Sequence, residues 1–202
     1  MESALPLESV LKKRRSVREF SGEPLTHAEL SQLLWAAQGV TDPDGLRTVP
    51  SAGALYPLEV YIAVGDVSDL PAGVYRYQPD RHRLVPIVSG DRRAQLAEAA
   101  LAQRWIETSA AVITFAAIFQ RTTWKYGERG VRYVHMEVGH AAQNVYLQSV
   151  ALGLGTVVVG AFSDRDVKEV LNMSSQEEPI CLMPVGHIAS QQHISDCDGS
   201  LP

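Results

Sequence analysis

Apolar positions recur along the chain at two spacings, one near 3.6 residues and one of two, and each marks a different element. Leu7, Val10 and Leu11 fall at i, i+3 and i+4 among polar neighbours and predict a short first helix that runs into a basic cluster. Thr26 and Glu29 form a T-x-x-E capping box ahead of Leu30, Leu33, Leu34 and Ala37, which predicts a second helix ended by Gly39 in a left-handed conformation. Thr41 to Pro57 holds Pro43, Gly45, Pro50, Gly53 and Pro57, too much proline and glycine for a regular element, and predicts a long loop. Leu58 to Val64 alternates Leu58, Val60, Ile62 and Val64 with Glu59, Tyr61 and Ala63, the pattern of a half-buried strand. Val74 to Tyr77 and Leu84 to Val88 predict a hairpin around Pro79 and Asp80.

Further on, Asp91 is placed to cap a helix holding Leu96, Ala97, Ala100 and Leu101, and Ala111 to Phe119 is apolar enough for a buried strand. A wide stripe of Val131, Val134, Val138, Ala141, Ala142 and Val145 predicts a long helix from about Gly130 to Leu152, stopped by Gly153 and Gly155. Val157 to Val159 reads as a buried strand, Ser163 and Asp166 as the cap of a last helix, and Ile180 to Val185 as a final strand. Without an internal repeat or linker, this order predicts one α+β domain over residues 1–202, with a core of about 10–187 and a polar tail, 188–202, that could reach over a partner subunit. Hairpin-linked strands point to a mixed sheet flanked by helices.

Composition narrows the function classes. The 202 residues are 46% hydrophobic and 20% charged, which excludes wholesale disorder. No run approaches the roughly 20 apolar residues that cross a bilayer, and the start lacks a basic region followed by an apolar one, so a cytoplasmic protein is expected. A net charge of −5 argues against charge-driven binding to nucleic acid or membrane. Cys181 and Cys197 match neither a CxxC nor a zinc pattern.

Several motifs fail on spacing. Gly153, Gly155 and Gly160 do not spell GxGxxG. His135 and His140 are five residues apart, which turns the second about 140° from the first on a helix, so with Glu137 they do not share a face as metal ligands would.

Three segments carry chemistry. Arg14, Arg15, Ser16 and Arg18 put guanidinium forks and a hydroxyl at a density that suits a phosphate, although alone they read first as a solvated basic face. Pro50 to Pro57, PSAGALYP, is built of small residues that let backbone approach a flat ligand, with Ser51 as a donor, although alone it is a turn. Lys125 beside Tyr126 favours the phenolate, which would make Tyr126 a proton carrier; the bland alternative is a polar helix start.

In order, RRSVREF (14–20), LSQLLWAAQGVT (30–41), PSAGALYPLEVY (50–61), GVYRY (73–77), KYGERGVRY (125–133), GHAAQNVYLQSVALGLGTVVVGAF (139–162) and MPVGH (183–187) resemble the nitroreductase superfamily, and within it the SagB-type dehydrogenase branch. The resemblance implies an FMN enzyme built as an intertwined homodimer with flavins at the subunit interface. It would place Arg14, Arg15, Ser16 and Arg18 on the FMN phosphate, ribityl chain and ring edge. Pro50, Ser51, Ala52, Gly53 and Leu55 would pack on the flavin from the other subunit. Val158, Val159, Gly160 and Ala161 would run along the ring, and Gly186 and His187 would form the last flavin-side segment. A basic residue that related enzymes carry shortly after it is missing here, and His187 is the candidate to compensate. The branch is associated with oxidising azoline rings to azoles, with Tyr126 taking the ring proton and Lys125 keeping it ionised. The alternatives are an NAD(P)H-dependent reductase of nitroaromatics or quinones acting on a small-molecule substrate, and a non-catalytic flavin-binding partner subunit.

Overall fold

The computed structural model describes residues 5–189. The polar tail beyond 189, including Cys197, lies outside the described residues. Two short N-terminal helices, α1 (Leu7–Lys13) and α2 (His27–Gln38), precede an antiparallel meander of β1 (Leu58–Val64), β2 (Gly73–Gln78) and β3 (Arg83–Ser89). Helices α3 (Arg93–Ala99) and α4 (Trp105–Thr108) lead to β4 (Ala111–Ala117), then α5 (Gln120–Tyr126) and the long α6 (Arg129–Ala151). β5 (Leu154–Thr156), α7 (Asp164–Leu171) and β6 (Glu178–His187) follow.

The strands form one sheet in the order β3-β2-β1-β4-β6-β5. Every ladder in it is antiparallel, so the class is α+β as expected but the sheet is not mixed. Hairpins supply β1 to β3, the connections through α3–α4 and α7 reverse the chain, and the one through α5–α6 sets β5 parallel to β4 with β6 between them.

Both faces of the sheet are covered. One packs on α2 and α6 through Leu58, Val60, Ile62 and Val64, with Leu33, Val138 and Val145 in the same core. The other takes Tyr61 and Ala63 into a second core with Leu96, Ile106 and Val167. β1 is therefore buried along its whole length instead of half-buried, because α3, α4 and α7 cover the face that its alternation marks as polar.

Local signals explain the helix ends. The Thr26–Glu29 box is formed in both directions: Glu29 N–H donates to Thr26 Oγ1 at 3.2 Å, and Thr26 N–H donates to Glu29 Oε2 at 2.8 Å. Gly39 ends α2 in an extended conformation (φ −61°, ψ 143°), not the left-handed one expected. Glycine is required there for a different reason, since a Cβ would stand 2.3 Å from the Trp35 ring. Asp91 lies one residue before the cap position of α3, where its carboxylate accepts the Arg93 N–H and guanidinium.

The strand expected over Val157 to Val159 is displaced to Leu154–Thr156. Gly155 pairs with Gly186 and Val159 with Leu182, one continuous register that would set Val157 opposite Pro184. Proline has no N–H to donate, so the ladder breaks there and resumes only as the Val159–Leu182 bridge. Val157 and Val159 stay buried while Val158 turns outward.

Candidate functional site

The predicted site residues fall into two groups, one toward each end of α6. At the C-terminal end, the segment 14–18 lies against β5, with Val17 N–H donating to the Thr156 carbonyl at 2.9 Å. Gly155 makes the approach possible, because a Cβ there would stand 2.6 Å from Val17. Tyr146 on α6 joins this segment to the next: its hydroxyl lies 3.2 Å from Ser16 Oγ and accepts the Val158 N–H at 2.8 Å. The Arg14 guanidinium sits 5.1 Å from the centre of the Tyr146 ring. Gly160 and Ala161 follow as exposed backbone.

A cavity of about 830 Å³ opens here, lined by Lys13, Arg15, Ser16, Arg18, Tyr146 and Thr156, among others. Ser149 and Thr156 add buried hydroxyls that have no hydrogen-bond partner among the described residues. Cationic forks, unpaired hydroxyls and this volume suit a phosphate-ended ligand of mononucleotide size. Gly186 is buried in β6 behind it. His187 Nε2 faces the Glu29 carboxylate of the α2 cap at 3.7 Å, a partner that the sequence did not suggest.

At the N-terminal end of α6, the 50–57 segment is an ordered turn. Ser51 Oγ accepts the Tyr56 N–H at 2.9 Å, and Gly53 adopts φ +65° within a single helical turn over Ala52–Ala54. Lys125 and Tyr126 close α5, at a helix end and not a helix start, and reach over this turn. A Cβ on Gly53 would lie 2.8 Å from Tyr126 Oη and 2.9 Å from Lys125 Nζ, so both polar tips close over the turn at a position whose positive φ favours glycine. The ammonium sits 5.4 Å from the Tyr126 ring centre, and Tyr133 of α6 meets the same ring edge-on at 5.2 Å.

One chain does not unite the groups. Tyr133 and Tyr146 are separated by roughly 20 Å of helix, at 1.5 Å per residue. Each end of α6 holds one group of the candidate residues.

A family model described as the nitroreductase family matches residues 11–187. The chain belongs to the nitroreductase family. The family read from the motifs is the one that matches, and it is a family of oxidoreductases. MJ1384 of Methanocaldococcus jannaschii, a protein named for the same family, is 55% identical over 92% of this chain and 96% of its own length. The microcin B17-processing protein McbC of Escherichia coli is 29% identical over 73% of this chain, which spans 56% of McbC. Among solved structures, a Ralstonia eutropha protein of the family superposes with TM-score 0.82 and 33% identity over 94% of this chain and 86% of that one. The E. coli microcin synthetase McbBCD complex with truncated pro-MccB17 bound gives TM-score 0.75 and 25% identity over 94% of this chain and 76% of the matched one. The chain spans only 35–38% of two further matched proteins, so it represents a minor part of some relatives.

In this nitroreductase-family chain, motif reading missed several residues next to the 50–57 turn. Glu137 is 2% exposed on the core face of α6, and among the described residues its Oε1 has no hydrogen-bond partner. Burial pushes its carboxyl up to about 7, against the opposing pull of the Ser51 hydroxyl and the Arg47 guanidinium. A signal was present: Glu137 interrupts the apolar stripe of Val134, Val138 and Ala141, where a solvated carboxylate has no place. Arg47 stacks over the Tyr56 ring at 4.4 Å, and Arg121 on α5 donates to the Tyr56 carbonyl at 3.1 Å. Arg121 and Arg76 share the carboxylate of Glu59, at 2.6 and 2.7 Å. Arg76 falls within GVYRY, but no single motif holds these arginines together, because they come from a loop, a strand and a helix.

Proposed function

We propose that this chain is an FMN-dependent oxidoreductase of the SagB-type branch, working on a small organic substrate as a homodimer. The observation that carries the reading is the meeting of Lys125 and Tyr126 over Gly53, which gathers the candidate proton-transfer pair onto the small-residue turn. Supporting it, the nitroreductase family is in general flavin-dependent. The arginine-lined cavity and the unpaired hydroxyls of Ser149 and Thr156 fit a phosphate and a ribityl chain.

When bound, FMN would accept or donate hydride at N5. Arg14, Arg15, Ser16 and Arg18 would hold its phosphate and polar chain, and the Val158 to Ala161 segment with Gly186 and His187 would border the ring. The 50–55 turn of a second copy would close the site, which accounts for the halves standing at opposite ends of α6. In the azoline-to-azole direction, Tyr126 Oη would take the ring proton and Lys125 Nζ would hold the phenolate charge.

A second reading, NAD(P)H-dependent reduction of nitro or quinone acceptors, is favoured by the likeness to MJ1384, which exceeds that to McbC. The deciding measurement is the visible spectrum of the purified protein with identification of any released flavin. A yellow protein releasing about one FMN per chain is expected from symmetry-repeated sites. A colourless protein that FMN cannot reconstitute overturns the cofactor assignment. Steady NAD(P)H oxidation with nitroaromatic acceptors would replace the dehydrogenation reading with the second one.

A further inference from the structure

We infer that the cavity between the start of β1 and the β2–β3 turn is an anion site, taking an oxyanion-bearing small ligand. This site is separate from the proposed FMN site, and the inference does not depend on it. The cavity holds about 590 Å³ and shares no lining residue with the one at Arg15 and Ser16. Arg47, Arg76, Arg81, Arg83 and Arg121 line it, against the carboxylates of Glu59 and Asp80.

The charge is under-compensated at close range. Glu59 is buried on β1, and its single carboxylate serves both Arg76 and Arg121, whose side chains remain 35% and 39% exposed. Glu177 lies behind Arg76 at 3.6 Å, but its carboxylate also accepts from the Tyr61 hydroxyl and the Ser174 N–H. Arg47 is mostly buried, donates to Gln38 Oε1 at 2.9 Å, reaches Asp80 only at 4.0 Å, and among the described residues its Nε has no partner. Arg81 and Arg83 stand exposed at the rim, with Arg83 Nε donating to Gln78 Oε1 at 2.7 Å. Guanidinium forks with free donors around a polar cavity match the planar oxygens of phosphate or carboxylate. Excess positive charge here runs against a chain of net charge −5.

The site is also tied to the 50–57 turn. Arg47 stacks on Tyr56 and Arg121 holds its carbonyl, so an occupied cavity would fix the arginines that brace this turn. An anionic end of the reacting molecule, or a separate effector, would have the same chemistry.

The test is titration of the purified protein, with its bound flavin if it has one, with inorganic pyrophosphate and with citrate at constant ionic strength, followed by calorimetry. The variants are the rim pair Arg81→Gln/Arg83→Gln and, as a control at the other cavity, Arg14→Gln/Arg15→Gln. Saturable binding of either anion, weakened about tenfold or more by the rim pair and unchanged by the control pair, is expected. Preference for pyrophosphate would mark a phosphate ligand, and preference for citrate a carboxylate. No saturable binding of either anion, or binding lost only in the control pair, overturns the assignment. Flavin content, read separately by absorbance, reports on the FMN proposal and not on this one.

Discussion

At the C-terminal end of α6, segment 14–18 is held through its backbone by the Val17 N–H on Thr156, with Tyr146 meeting Arg14 and Ser16, while the side chains of Arg15, Ser16 and Arg18 stay exposed. At the N-terminal end the arrangement is reversed: the 50–57 turn is clasped by side chains, with Tyr126 and Lys125 over Gly53, and Arg121 and Arg47 on Tyr56. The first region exposes its polar side chains, and the second brings its polar tips together over one turn. Under the proposed function, the first would lose a side chain and keep its frame, whereas a change in the second would alter the proton-transfer groups directly.

The largest expected effect separates the two regions by chemistry. Tyr126→Phe should lower kcat by about 10²–10⁴-fold while leaving flavin content unchanged, the range for loss of a positioned proton-transfer group. Unchanged turnover in the variant removes Tyr126 from the mechanism.

Glu137→Gln addresses the buried acid beneath the second region. The folded protein holds this carboxyl near 7, above the ordinary value of 4.5, so its protonated form favours the fold. That contribution is full below pH 4.5 and is lost as pH rises through about 7. The glutamine variant should gain on the parent between pH 4.5 and 8, by up to about 3 kcal/mol, read from denaturant melts at each pH. A stability gap that stays constant with pH would contradict the burial argument.

Arg15→Ala tests the first region. FMN affinity should fall about 10- to 100-fold with kcat at saturating flavin preserved, as measured by quenching of flavin fluorescence. Loss of kcat with affinity intact would break the division of labour between the two ends. The smallest effect belongs to the α2 cap: Thr26→Ala should cost about 1 kcal/mol in thermal or chemical melts without altering the kinetics at Tyr126.

The fold was legible where a local rule had no competitor. The Thr26–Glu29 box, the β2–β3 hairpin and α6 each carry a spacing that local chemistry enforces. β1 was read as half-buried because alternation shows only that two faces differ, not that a second helical layer covers the polar one. α5 went unread because its short sequence QRTTWKY has no apolar stripe, and tertiary packing on α6 holds it. The displaced β5 turns on Pro184, nearly thirty residues away, whose missing N–H acts only through pairing.

The site was legible as motifs and not as geometry. Lys125, Tyr126 and Gly53 are named by the resemblance, yet their meeting depends on α5 ending beside the turn. The arginines around Glu59 come from a loop, a strand and a helix, and no window of sequence contains them together.

The strand order carries a consequence for how the protein is made. β6 is the last strand described, yet it lies inside the sheet, between β4 and β5. While the chain emerges from the ribosome, the β1–β2–β3 meander and β4 can pair early, since their partners are already available. β5 cannot join them, because its neighbour has not yet been synthesised. Until residue 187 is free, β4 has an open edge and β5 has no partner. Nascent chains stalled before β6 should then be the aggregation-prone and protease-sensitive species, and release of the final strand should bring protection to both β4 and β5 at once.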